Sequence, residues 1–99
     1  MVKEIFLSNH FNKIFEQHST KKEQLDEFVW HLKLQFGIQL YFCEIIGKRW
    51  SFFTGDKTLD IPQHKIVLNN HFGMMTAEIP VSEKEWQLIL DFINEKLNQ

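Results

Sequence analysis

The residue types able to do chemistry are few in this chain and scattered along it. Five histidines, His10, His18, His31, His64 and His71, include no i,i+4 pair and no neighbouring cysteine or carboxylate set at zinc-ligand spacing. They read as surface or half-buried imidazoles, and no metal site is expected. The single Cys43 is a nucleophile only if a histidine reaches it as a base. It lies among apolar neighbours in a strand-like stretch, where desolvation raises the pKa of a thiol, so it reads as a packed side chain. One cysteine cannot form an internal disulfide, which fits a reducing compartment. Glu44, Asp56 and Asp60 have no second carboxylate at a defined distance and are assigned surface and turn roles rather than acid-base work. No catalytic residue and no cofactor is expected.

Residues 45–56, IIGKRWSFFTGD, hold the only arginine beside ten lysines. Lys48-Arg49-Trp50-Ser51-Phe52-Phe53 interleaves cations with rings, the composition that single-stranded nucleic acid uses for phosphate contacts and base stacking. Only two of those cations are contiguous, and the net charge of −2 gives neither nucleic acid nor an anionic membrane the basic excess it favours. Both partners are therefore set aside. Gly47-Lys48 has the Gly-X form of a two-residue hairpin turn. That turn places Ile46 opposite Arg49, Ile45 opposite Trp50, Glu44 opposite Ser51, Cys43 opposite Phe52, Phe42 opposite Phe53 and Tyr41 opposite Thr54. Arg49 and Glu44 then share a side of the hairpin, close enough diagonally for a cross-strand ion pair.

Elements must position these residues, and their periods are legible. Leu7, Phe11, Ile14, Phe15 and His18 form a stripe at helical spacing over about 3–18. Thr20-Lys-Lys-Glu23 is a reciprocal capping pair that opens a second helix with the stripe Leu25, Phe28, Val29, Leu32 and Phe36, closed by Gly37. IQLYFCEII and RWSFFT are too apolar and too rich in β-branched and aromatic types for surface helix, and read as strands. HKIVL (64–68) and MMTAEI (74–79) form a second hairpin around NNHFG, where Gly73 is expected to supply a left-handed turn residue. Val81-Ser82-Glu-Lys-Glu85-Trp86 caps a last helix running to about 97, with Trp86, Ile89, Leu90, Ile93 and Leu97 as its buried stripe.

The order helix, helix, four strands, helix predicts an α+β domain with two N-terminal helices, a four-stranded antiparallel sheet built from two hairpins, and a C-terminal helix packed on one face. With 99 residues, 43% hydrophobic and 24% charged, the chain is expected to form one domain spanning 1–99 with a core of its own. No stretch reaches the length of a membrane span and the N-terminus lacks a signal-peptide pattern, so a cytoplasmic location is expected.

Ten phenylalanines and three tryptophans exceed what such a fold plainly uses. The first hairpin puts Tyr41, Cys43, Ile45, Trp50 and Phe52 on one side and Ile38, Leu40, Phe42 and Phe53, with Glu44, Ser51 and Arg49, on the other. One side meets the helices, and the other carries more large apolar groups than a solvent-facing surface should. Trp30 and Leu34 lie opposite the main stripe of the second helix, as Leu88 and Phe92 do on the last; either each helix is sandwiched between the sheet and another helix, or these groups form a partner surface. The expectation is a non-enzymatic interaction or regulatory module, a homodimer that also holds another protein, with Trp30, Leu34, Phe42 and Phe53 as contacts and Arg49 as a polar rim. The alternative is a small-molecule-binding domain or minor enzyme whose pocket lies between sheet and helices, with Tyr41 and Trp50 as its polar handles.

Overall fold

The computed structural model describes the backbone of residues 4–98 and the side chains of residues 11–98. The expected helix start at residue 3, the stripe position Leu7 and the imidazole of His10 lie outside those described residues. Three helices, α1 (Glu4–Gln17), α2 (Lys21–Phe36) and α3 (Glu83–Leu97), flank four strands, β1 (Leu40–Ile46), β2 (Arg49–Gly55), β3 (His64–Val67) and β4 (Phe72–Thr76).

Local sequence sets the helix ends. The Thr20 hydroxyl accepts the Glu23 amide at 3.2 Å, and Gly37 closes α2 with φ of 69°. At α3 the Ser82 hydroxyl accepts the Glu85 amide at 3.1 Å and donates to the Glu85 carboxylate at 2.9 Å. Each cap satisfies an amide that the helix leaves free. The stripes then meet in one core: Phe11 and Ile14 of α1, Leu25, Phe28, Val29 and Leu32 of α2, and Ile89, Ile93 and Leu97 of α3 are all buried. Phe92 leaves the α3 stripe but stacks on Phe28, with centroids 5.9 Å apart, and lies 5.8 Å from Phe11 and 5.8 Å from Phe15. Its surplus is therefore used up between helices.

The sheet is antiparallel with strand order β2-β1-β4-β3. The second hairpin adds to the first through β4, whose Gly73 and Met75 pair with Cys43 and Tyr41. From the Gly47-Lys48 turn the β1–β2 register runs as expected through Cys43 and Phe52, and then it shifts. Phe42 pairs with Thr54 rather than Phe53, and Tyr41 with Gly55 rather than Thr54, because a bulge makes Phe53 an unpaired extra residue. The bulge turns both Phe53 and Thr54 toward the helices: Phe53 meets the ring of Phe72 at 5.3 Å, and Thr54 donates to Asp26 of α2 at 3.0 Å. Gly55 completes it with φ of 138°, where a Cβ would lie 2.5 Å from the Cα of Tyr41.

The second hairpin also departs from expectation. Its turn needs no left-handed glycine, because the Asn69 side chain accepts the amides of His71 and Phe72 at 2.7 and 2.8 Å. Strand β4 therefore starts at Phe72, and Gly73 lies inside it without a positive φ.

The sheet's two sides are now distinct. Leu40, Phe42, Thr54, Met74 and Thr76 are buried toward the helix layer, with α2 lying over β1 and β2. Tyr41, Cys43, Ile45, Trp50, Phe52, Lys65, Val67, Gly73 and Met75 occupy the opposite side by strand alternation, and no described helix covers it.

Candidate functional site

On the open side the strands bring one row of residues across the whole sheet: Phe52, Cys43, Gly73 and Val67. The Trp50 indole starts on β2 and reaches β4, where a Cβ on Gly73 would lie only 2.3 Å from its Cη2. A ring spanning that distance has to cross β1, and Cys43 on that strand is only 3% exposed although no helix lies over it. The Lys65 ammonium of β3 stands 4.3 Å from the indole centroid. Burial pushes the Cys43 thiol above its ordinary pKa, with the Lys65 charge pulling weakly the other way. Burial likewise raises the Tyr41 phenol, and the neighbouring Cys43 adds to the effect. These groups stay protonated near neutral pH. Chemically they form an apolar plate rather than a nucleophile and base.

Beside Trp50 the plate is less complete. Phe52 remains 47% exposed, its ring 5.4 Å from that of Tyr41, and Val67 on the far strand is 67% exposed.

A second feature lies where β2 ends. Asp26, Trp30, Lys33, Asp56, Lys57 and Thr58 line a groove of about 290 Å³ between α2 and the loop after β2. Asp56 is buried there and accepts the backbone amide of Thr58 at 2.9 Å and the Thr58 hydroxyl on one oxygen, while its other oxygen faces the Lys33 ammonium at 2.9 Å. Burial alone would raise this carboxyl's pKa, but the Thr58 and Lys33 contacts outweigh it and hold the carboxyl below its ordinary value. The groove continues along the outer flank of β2, where Lys22, Glu23 and Asp26 of α2 face Phe52, Phe53, Thr54, Gly55 and Lys57. Lys57 joins the two stretches, and also a shallower depression against Tyr41 and Phe52.

The structure separates the residues that the sequence grouped. Phe42 is 0% exposed, so its ring belongs to the core and no partner can touch it. Phe53 is half-buried on the same side, against Phe72. Trp30 and Leu34 are exposed on α2, at 52% and 76%. Arg49 is exposed at the hairpin end, and among the described residues it makes no ion pair with Glu44. Both side chains lie past the cover of the helices, where water screens a pair that would gain little. Tyr41 and Trp50 lie on the open face rather than between sheet and helices.

Sequence reasoning passed over Lys65, Val67, Met75 and the Lys33–Asp56 pair. The alternation of β3 signalled the first two. Nothing local signals an ion pair between residues 33 and 56.

Among the described residues no three histidine, cysteine or carboxylate side chains gather as metal ligands, and no helix is long and apolar enough to cross a membrane. No protein-family model, curated protein or solved structure matches the chain.

Proposed function

We propose that the protein is a non-catalytic interaction module that pairs with a second copy of itself through the open face of its sheet. One observation carries the proposal: this face presents Tyr41, Ile45, Trp50, Val67 and Met75 around a half-exposed Phe52, and no described element covers it. A two-fold pairing sets such a patch against itself and removes the exposed rings from water without a new fold. Lys65, the one cation among these face residues, is exposed on the edge strand β3 and stands over the Trp50 ring, so face-to-face stacking can leave its charge at the rim. Sedimentation should show a dimer at low micromolar concentration. Phe52→Glu and, separately, Val67→Glu should give monomers with unchanged circular dichroism. A wild-type monomer at every concentration, or dimers that survive both substitutions, would overturn the proposal.

A second reading is favoured by the groove beside Trp30, where an indole wall stands next to a half-buried ion pair. Its volume lies at the lower end of small-ligand sites. The occupant would be a small planar polar molecule, stacked on Trp30 and bonded to Lys57 or Thr58. Thermal-shift screening of such compounds should then find stabilisation that Trp30→Ala abolishes, and stabilisation retained in that variant would exclude the groove.

A further inference from the structure

We infer that the outer edge of β2 is a docking strand for an extended acidic peptide, held between that edge and the first turns of α2. This goes beyond the face-to-face pairing and does not depend on it, because stacking the sheet faces leaves the edge open.

Backbone geometry provides the first support. Strand β2 is seven residues long, pairs with β1 alone among the described residues and contains no proline. In a hairpin closed by a two-residue turn the pair Ile46 and Arg49 exchange both ladder bonds, and alternate residues then turn outward. The Ile45 amide, which donates to His71 at 2.7 Å on the far side of β1, confirms that phase. Trp50 and Phe52 on β2 therefore aim their amides and carbonyls at the free edge, a template for one more strand. The other edge, β3, has four residues and follows Pro62 closely, so it offers less.

The flank of that edge provides the second. The groove beside it runs between Lys22, Glu23 and Asp26 of α2 and the strand itself, with Lys57 at its end. The groove's own charges balance, Lys22 and Lys57 against Glu23 and Asp26; Glu23 faces His18 at 3.6 Å, and Asp26 accepts the Thr54 hydroxyl at 3.0 Å. Lys22 and Lys57 in the groove, and Lys48 and Arg49 at the strand's start, make no ion pair among the described residues. A chain of net charge −2 thus carries, around one strand edge, four cations against two acids, the excess lying at the hairpin end. Complementarity selects an acidic segment. It also argues against a second copy here, since antiparallel pairing of two β2 strands would bring Lys48 and Arg49 of each beside Lys57 of the other.

The test uses end-blocked, fluorescently labelled seven-residue peptides alternating valine with glutamate, or valine with lysine, read by polarisation at low salt. The glutamate peptide should bind, weaken as salt rises, and lose binding when alternate amides are N-methylated. The combined substitutions Lys22→Glu and Lys57→Glu should weaken it at least tenfold without changing circular dichroism. Equal binding of the lysine peptide, indifference to N-methylation, or no binding of the glutamate peptide would overturn the inference. The Val67→Glu protein should bind the peptide as the wild type does, because β3 is the distant edge. Failure of the dimer and failure of the docking strand are thereby read separately.

Discussion

At the scale of single residues, Gly73 and Trp50 show how a missing side chain can organise a surface. A strand interior disfavours glycine, and here its absent Cβ is the space in which the far end of the indole rests. The consequence falls on Cys43. Gly73→Ala should push the indole off β4, expose the thiol and raise its rate of reaction with a disulfide reagent several-fold. Overpacking at this site should also cost about 1–3 kcal/mol in a denaturant titration. Unchanged thiol reactivity would show that Trp50 is not what covers Cys43. The sequence marks Gly73 as special, yet it suggests the wrong use, because a glycine near a turn implies positive φ and only the tertiary path of Trp50 implies close approach. Phe42 gives the complementary case. Its neighbours in the chain are equally apolar, and nothing local says whether its side of the hairpin is core or surface.

At the scale of elements, the ends of α2 and α3 and the helical stripes are legible because capping and period are local properties, written within a few residues. The bulge in β2 was not legible. It depends on whether Phe53 gains more by packing beside Phe72 than the ladder loses by a missing pair, and that balance involves a strand some twenty residues away. The loop after β2 is tied to α2 by Asp56 and Lys33, and this clamp has a pH signature. Asp56 has a folded pKa below its ordinary value, so it contributes stability that is complete above the ordinary carboxylate range and is lost as pH falls through the depressed folded value. Asp56→Asn should therefore be destabilised at neutral pH, by about 1–3 kcal/mol for a charged hydrogen bond partly open to water. The gap from wild type should close as the solution is acidified. A gap independent of pH in urea titrations would mean that the carboxylate's charge does not hold the loop.

At the scale of the whole molecule, three helices on one side of a four-stranded sheet hide most of the large rings, and the layered arrangement decides which remain. Phe11, Phe28 and Phe42 disappear into the core, while Trp30 and Phe52 stay half-exposed on opposite layers. Lys22, Lys48, Arg49 and Lys57, which make no ion pair among the described residues, lie around one free strand, although the chain as a whole is slightly acidic. Face and edge meet at Phe52 but point in different directions, so the proposed face-to-face pairing leaves the backbone edge of β2 open.

Composition, capping pairs and hydrophobic period by themselves determined the order of elements, the antiparallel α+β class and the first hairpin turn. Those are properties of residues close in the chain, each biasing its own backbone whatever the rest does. Which side of the sheet the helices cover, where the ladder bulges, how Trp50 lies over Gly73 and which cations border an open strand were decided only by the tertiary structure. Each is a competition between distant segments for the same buried space, and a strand's alternation offers two faces without ranking them.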